Sequence, residues 1–186
     1  REEEARVTKE WAVVAGATGA LGSAISEELR NRGLAVLGLA RHGDSSSGVL
    51  GIDLRDDDSV AEVSRHVDGV VRVLVHVAGP PLAGGVADVD PGSVLEAIDV
   101  KVNGLLRLVR AVDSCFEVGS RIVAVTGHLG YDPVPASVTA GVGNAALGAL
   151  VRQLAGAYGP RGITCHGVAP GPVDSPRIDR LIEHLA

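Results

Sequence analysis

The stretch that decides the fold is WAVVAGATGALG, residues 11–22. Its first five residues, Trp11–Ala15, form an unbroken apolar run. Such a run suits a strand buried on both faces rather than one exposed to water on one side. Gly16-Ala17-Thr18-Gly19-Ala20-Leu21-Gly22 follows and leads directly into a helical pattern, Leu21–Arg32, stopped by Gly33. Glycines here permit a tight turn and a close backbone approach. The helix start then offers free N–H groups and a partial positive charge, the arrangement that receives a pyrophosphate. A tight strand-to-helix turn with no ligand would use the same glycines.

Outward from this turn the chain alternates. Further apolar runs at Ala35–Ala40, Val49–Ile52, Val70–Val77, Arg121–Thr126 and Ile163–Val168 predict strands. Between them, Ser59–Val67, Ser93–Phe116 and Ser137–Tyr158 predict helices, with Asp90 and Pro91 as a start signal for the second. Strand–helix alternation predicts an α/β fold, a single doubly wound parallel sheet. Residues 1–186 read as one domain, with a charged lead over residues 1–10 and a short helix over residues 176–186.

Composition removes several function classes. The chain has 186 residues, a net charge of −6 and 2% aromatics. An acidic chain without Lys/Arg clusters argues against nucleic acid and anionic membranes as partners. Four aromatic residues, Trp11, Phe116, Tyr131 and Tyr158, are too few for base-stacking platforms. Two cysteines, Cys115 and Cys165, and six scattered histidines show neither disulfide nor metal-ligand spacing, so no metal is expected. No apolar run approaches a membrane span, and the charged start lacks the core of a signal peptide. These features predict a cytoplasmic protein.

A dinucleotide-binding fold that takes NAD presents an acid to the ribose 2′-hydroxyl after its second strand. This chain reads Leu39-Ala40-Arg41-His42 there, and Arg41 suits a 2′-phosphate, so NADP(H) is expected over NAD(H). The alternatives are a merely solvated Arg41 and a chain that binds no cofactor. Asp53, after the third run, suits the adenine amino group or a cap on the next helix.

From about Trp11 to Ser175 the chain resembles the short-chain dehydrogenase/reductase family, whose nucleotide-binding domain is Rossmann-like. Gly16–Gly22 is similar to the family's glycine loop, with Ala20 in place of its middle glycine. Asp53-Leu54 resembles the adenine-contacting pair, and His76-Val77-Ala78-Gly79 stands where the family writes Asn-Asn-Ala-Gly. Pro170-Gly171-Pro172-Val173-Asp174-Ser175 resembles the segment over the nicotinamide. The resemblance therefore implies cofactor contacts at Gly16, Thr18, Gly19, Ala20, Leu21, Gly22, Arg41, Asp53, Leu54, Ala78, Gly79, Pro170, Gly171, Val173 and Ser175. It also implies a chain that stops short of the family's final strand.

The family's chemistry implies a Tyr phenol that exchanges a proton, a Lys four residues later, a Ser after strand five and an Asn in the preceding long helix. Matched to this chain, those positions hold Ala140, Asn144, Gly127 and Lys101. The Lys/Asn exchange, with "HVAG" and "KVNG", resembles ketoreductase domains of modular polyketide synthases. The phenol has no counterpart. Thr126, His128, Tyr131 and Asp132 lie close enough in sequence to be considered as substitutes, and His128 is the most attractive because imidazole titrates near neutrality. Lys101, Asn144, His128 and Thr126 are thus the expected catalytic set.

Three readings follow: an NAD(P)(H)-binding protein that is catalytically impaired or silent and pairs with a related oxidoreductase; a carbonyl reductase or alcohol dehydrogenase of a biosynthetic pathway, with Lys101 or His128 as a non-standard proton donor; and a lyase or cyclase reusing the pocket, for which no residue speaks. The family assembles through its two long helices, which implies a homo- or hetero-oligomer. Gly141, Gly143, Ala145, Ala146, Gly148 and Ala149 on the Ser137–Tyr158 helix permit close packing, either to a partner or within the chain.

Overall fold

Six parallel strands form one sheet in the order β3-β2-β1-β4-β5-β6 in a computed structural model, which describes residues 9–80 and 84–174. The strands are β1 (Glu10–Ala15), β2 (Ala35–Ala40), β3 (Val49–Gly51), β4 (Val70–His76), β5 (Arg121–Val125) and β6 (Thr164–Val168). The expected lead overlaps β1 at Glu10, and the expected helix over 176–186 lies outside the described residues. The helices are α1 (Ala20–Asn31), α2 (Asp57–Ala61), α3 (Pro91–Ile98), α4 (Gly104–Ala111) and α5 (Val138–Tyr158).

Side chains on the two faces of β1 enter two different layers. Val14 packs with Ala17 and Val75, against Ile25 and Leu29 of α1. Val13 and Ala15 join the larger core with Leu105 and Leu108 of α4 and Leu147, Val151 and Leu154 of α5. Leu39, Leu74, Leu105, Leu108, Ile122, Leu147 and Ile163 are fully buried. Each such side chain contributes about 2 kcal/mol of transfer free energy. Burial on both faces is why the strands read as continuous apolar runs.

Local signals set the helix ends. Gly33 adopts φ +87° and its N–H bonds the Arg30 carbonyl, which terminates α1. Asp90 accepts from the Ser93 N–H and Pro91 occupies the first helical turn of α3. Two helical expectations need correction. Ser59–Val67 is one α-helical turn, α2, continued by a 3₁₀ segment, Glu62–His66. Ser93–Phe116 is not one α-helix: a π turn, Asp99–Asn103, separates α3 from α4, and a 3₁₀ turn, Asp113–Cys115, follows Val112. An apolar period near 3.6 does not reveal an inserted residue, and π turns re-aim the side chains they carry.

The chain runs outward from β1 to β3 and then crosses back to β4, so strand order reverses between β1 and β4. In open sheets of this kind ligands meet the crevice beyond the strand C-termini at that reversal. Ala15 and His76 are partners there, and the loops after them begin with Gly16 and Val77.

Candidate cofactor and substrate site

The glycine loop is a backbone cradle with no room for a side chain at Gly16 or Gly22. Gly16 has φ +89°, and a Cβ there would lie 2.8 Å from the Ala78 nitrogen. A Cβ on Gly22 would stand 2.0 Å from the Gly16 carbonyl oxygen. The Gly16 and Ala17 N–H groups both donate to the Leu39 carbonyl, at 2.8 and 3.1 Å, which fixes the loop over β2. Gly19 precedes α1 in extended conformation and supplies no side-chain cap. Thr18, Gly19 and Ala20 are exposed, Leu21 is half-buried, and no acid stands in the first turn. This start of α1 fits a phosphate group in shape and in field.

On the β2–β3 side, Arg41 is exposed at the end of β2 and its charge acts on Asp53. Asp53 is engaged already. Arg55 donates from its main-chain N and Nε to Oδ1, each at 3.0 Å, and from Nη2 to Oδ2 at 2.8 Å. These bonds to Arg55 hold the Asp53 carboxyl down at about 2. Of the two roles weighed for Asp53, the cap belongs to Asp56, which accepts from the Asp58 and Ser59 N–H groups. The Asp53-Leu54-Arg55 spacing was a sequence signal for this two-residue turn. Leu54 is buried against Gly104 at the start of α4.

Lys101 and Asn144 come together across 43 positions of sequence. Lys101 leaves the π turn, passes Gly143 and Gly79, and its Nζ donates to Asn144 Oδ1 at 2.9 Å. Cβ atoms at Gly143 and Gly79 would lie 3.2 Å from Lys101 Cδ and 3.1 Å from Cε. Asn144 sits one turn after Ala140 on α5, and Gly127 follows β5 with φ +100°.

The other expected catalytic residues do not join this pair. Thr126 is buried and its hydroxyl donates to the Val168 carbonyl at 3.2 Å, tying β5 to β6. His128 is exposed in a 3₁₀ turn; its main-chain N–H donates to the Pro170 carbonyl, its carbonyl accepts from the Tyr131 and Asp132 N–H groups, and its ring bonds no other described residue. Tyr131 is exposed, with its hydroxyl 3.9 Å from a Cβ built on Gly148, one turn beyond Asn144. It borders a groove of about 320 Å³ with Arg152, Cys165 and His166. Tyr158 lies at the far end of α5, where burial and then Asp113 push its phenol up to about 12. Asp132 is exposed in the loop before Pro133.

Pro170 and Gly171 follow β6, and Val173 is half-buried in the same segment; Ser175 lies outside the described residues. Among the described residues no cluster of His, Cys, Asp and Glu could hold a metal, and no helix is long and apolar enough to cross a membrane.

One buried group carried no role in the sequence reading. His76 is fully buried at the end of β4, and neither ring nitrogen has a hydrogen-bond partner among the described residues. Burial first, and the Lys101 charge second, press its pKa down to about 4. The nearby main chain of Lys101 and Val100 favours the charged ring only weakly by comparison.

Known proteins give the same picture. A family model described as Enoyl-(Acyl carrier protein) reductase matches residues 15–184. The Short-chain reductase protein NovJ of Streptomyces niveus is 31% identical over 201 residues, covering 94% of this chain and 73% of the relative. The Monensin polyketide synthase putative ketoacyl reductase of Streptomyces virginiae is 29% identical, with 96% and 76% covered. A solved short-chain dehydrogenase from Burkholderia cenocepacia J2315, in complex with NADP, superimposes with a TM-score of 0.79 at 24% identity, covering 94% of this chain and 82% of that one. With the glycine cradle, the strand order and these likenesses together, the chain belongs to the short-chain dehydrogenase/reductase family of oxidoreductases.

Proposed function

We propose that this chain is an NADP(H)-binding member of the family whose catalytic centre lacks the usual Ser, Tyr and Lys, and that it serves as a catalytically impaired or silent subunit beside a related oxidoreductase. The carrying observation is Ala140: a methyl group stands where the resemblance requires a phenol, and both tyrosines point elsewhere. A methyl cannot hold or move a proton, so the family's acid–base step has no group at that position. Gly127 at the serine position and Asn144 at the lysine position support the same reading.

The cofactor reading rests on the start of α1 and on Arg41. Residues 16–22 would hold the pyrophosphate, and Arg41 would face a 2′-phosphate. Asp53, Leu54, Ala78, Gly79, Pro170, Gly171, Val173 and Ser175 would complete the contact set, with His128 near the substrate end. When bound, the dinucleotide supplies or accepts hydride; this chain's residues bind and orient it.

Pairing through the long helices is supported by exposed apolar side chains, Leu95 on α3 and Val142 on α5. Two glycines of α5 serve contacts within the chain: Gly143 faces Lys101 and Ala97, and Gly141 faces Pro133 and Leu129. Free thiols at Cys115 and Cys165 accord with a cytoplasmic setting.

The Lys101–Asn144 bond favours one second reading, a carbonyl reductase that uses the Lys101 ammonium as proton donor. A single series separates the two. Calorimetry with NADPH and NADH should show tighter NADPH binding, reduced at least tenfold towards NADH affinity by Arg41→Ala. Carbonyl reduction should appear only with a co-purified partner. Turnover by the isolated chain that Lys101→Ala abolishes would replace the silent-subunit reading with the reductase. No dinucleotide binding by the isolated chain would refute the cofactor reading.

A further inference from the structure

The π turn that carries Lys101 is strapped on both sides to the loop after β3. Its defining bond runs from the Gly104 N–H five residues back to the Asp99 carbonyl. Gly104 is also where α4 presses on that loop: a Cβ there would lie 3.1 Å from Leu54 Cβ. On the α4 side of the turn stands Arg107, whose side chain is 20% exposed. Its Nε donates to Asp57 Oδ1, and its Nη1 donates both to the Leu54 carbonyl at 3.0 Å and to Asp99 Oδ1 at 2.9 Å. On the α3 side, Arg55 Nη1 reaches Glu96 Oε1 at 3.4 Å.

The two straps differ in weight. The Arg55 and Glu96 side chains are both well exposed, and a pair of that kind contributes little. Arg107 is mostly covered, and its planar guanidinium joins three elements at once: the residue after Asp53, the first residue of α2 and the first residue of the π turn. Asn103 Nδ2 holds Asp99 from inside the same turn, at 2.9 Å. A movement of Leu54 therefore moves a donor that Asp99 shares. Asp99 in turn opens the register from which Lys101 reaches Asn144. The other end of this bracket is the pair assigned to adenine. Asp53 Oδ1 already accepts twice from Arg55, so an adenine amino group at Asp53 shares the carboxylate with Arg55.

We propose that Arg107 is a positioning residue that links the adenine end of the cofactor site to the Lys101–Asn144 pair. It acts through the Leu54 carbonyl on one side and the Asp99 carboxylate on the other. A ligand at Asp53 and Leu54 draws on the carboxylate that Arg55 uses, the loop adjusts, and Arg107 passes the adjustment to the π turn. Linkage is reciprocal, so whatever fixes Lys101 against Asn144 changes affinity at the adenine end by the same factor. This role rests on the reading of residues 53 and 54 as the adenine end of the cofactor site.

Adenosine 2′,5′-bisphosphate is the probe, because it carries the adenine and the 2′-phosphate but no nicotinamide half to touch Asn144. It is titrated into the full ¹⁵N-labelled chain. The side-chain NH₂ signals of Asn144, identified by their absence in Asn144→Asp, should shift saturably. Arg107→Lys keeps the charge but not the fork that spans Leu54, Asp57 and Asp99. It should still bind the probe, because Arg41 and the glycine loop are untouched, while the shift at saturation falls at least threefold. An arginine that merely braced the fold would lower the urea midpoint on substitution and leave that shift as it was. Calorimetry gives a second readout: Lys101→Met should weaken probe binding at least threefold in the wild-type background and leave it unchanged in the Arg107→Lys background. Asn144 signals that stay still in a wild-type chain saturated with the probe would overturn the inference alone. So would a full shift in Arg107→Lys, or equal effects of Lys101→Met in the two backgrounds. A wild-type chain that does not bind the probe would refute the cofactor reading, and the role of Arg107 with it.

Discussion

His76 makes the acid stability of this protein predictable. The ring is fully buried, its two nitrogens are unpaired among the described residues, and its pKa falls from 6.5 to about 4. A histidine with a depressed native pKa binds a proton more readily when unfolded. Its favourable contribution is therefore complete above pH 6.5 and is lost as pH falls towards 4. With these two values, linkage gives a loss of about 2 kcal/mol between pH 7 and pH 5, and about 3 kcal/mol by pH 4. Asp53, held at about 2, stays charged in that window and its contribution is lost only below it. The assay is urea unfolding at pH 7, 6 and 5 for the wild type and for His76→Asn, whose amide does not titrate. The variant starts from a lower stability, since a buried side chain is altered, but its curve against pH should be flatter by about 2 kcal/mol between pH 7 and 5. Parallel pH dependences for the two chains would refute the reasoning.

Two further perturbations test the frame around the site. Gly22→Ala would place a methyl carbon 2.0 Å from the Gly16 carbonyl oxygen, a backbone atom that cannot step aside; urea unfolding should show a loss of roughly 2 kcal/mol or more, and calorimetry at least a tenfold loss of NADPH affinity. Tyr158→Phe removes the 2.8 Å bond to Asp113, which keeps Arg161 as a partner. It should cost about 1 kcal/mol in thermal or urea unfolding and leave NADPH affinity unchanged, because Tyr158 lies 14 residues along α5 from Asn144, roughly 20 Å.

The fold was largely legible because its signals are local. Five apolar runs reproduce their strands to within a residue or so at each end, and Ala35–Ala40 coincides with β2. Gly33, Asp90 and Pro91 mark ends that depend on neighbours one turn away. The π turn at Asp99–Asn103 was not legible. Its Asp99 accepts from Asn103 Nδ2 and Arg107 Nη1, and Arg107 also reaches the Leu54 carbonyl, 53 positions earlier. A register change set partly by so distant a contact leaves no period in the sequence. The site was legible in part: the glycine loop and the Lys101–Asn144 pair were named, and Thr126 was named although its hydroxyl is committed to Val168.

By itself the sequence determined which groups this protein possesses: a glycine turn before a helix, Arg41 after the second strand, two tyrosines, and alanine where the family resemblance expects a phenol. Those are matters of composition and short spacing, and no packing can alter them. Only the tertiary structure decided how the groups face one another. Lys101 meets Asn144 because a π turn, Gly79 and Gly143 open a path for its side chain, and the Asn144 amide lies beside Gly127 because that residue takes φ +100°. Contacts between β5, the π turn and α5 are set by backbone clearances of a few tenths of an ångström, a quantity that residue order does not carry.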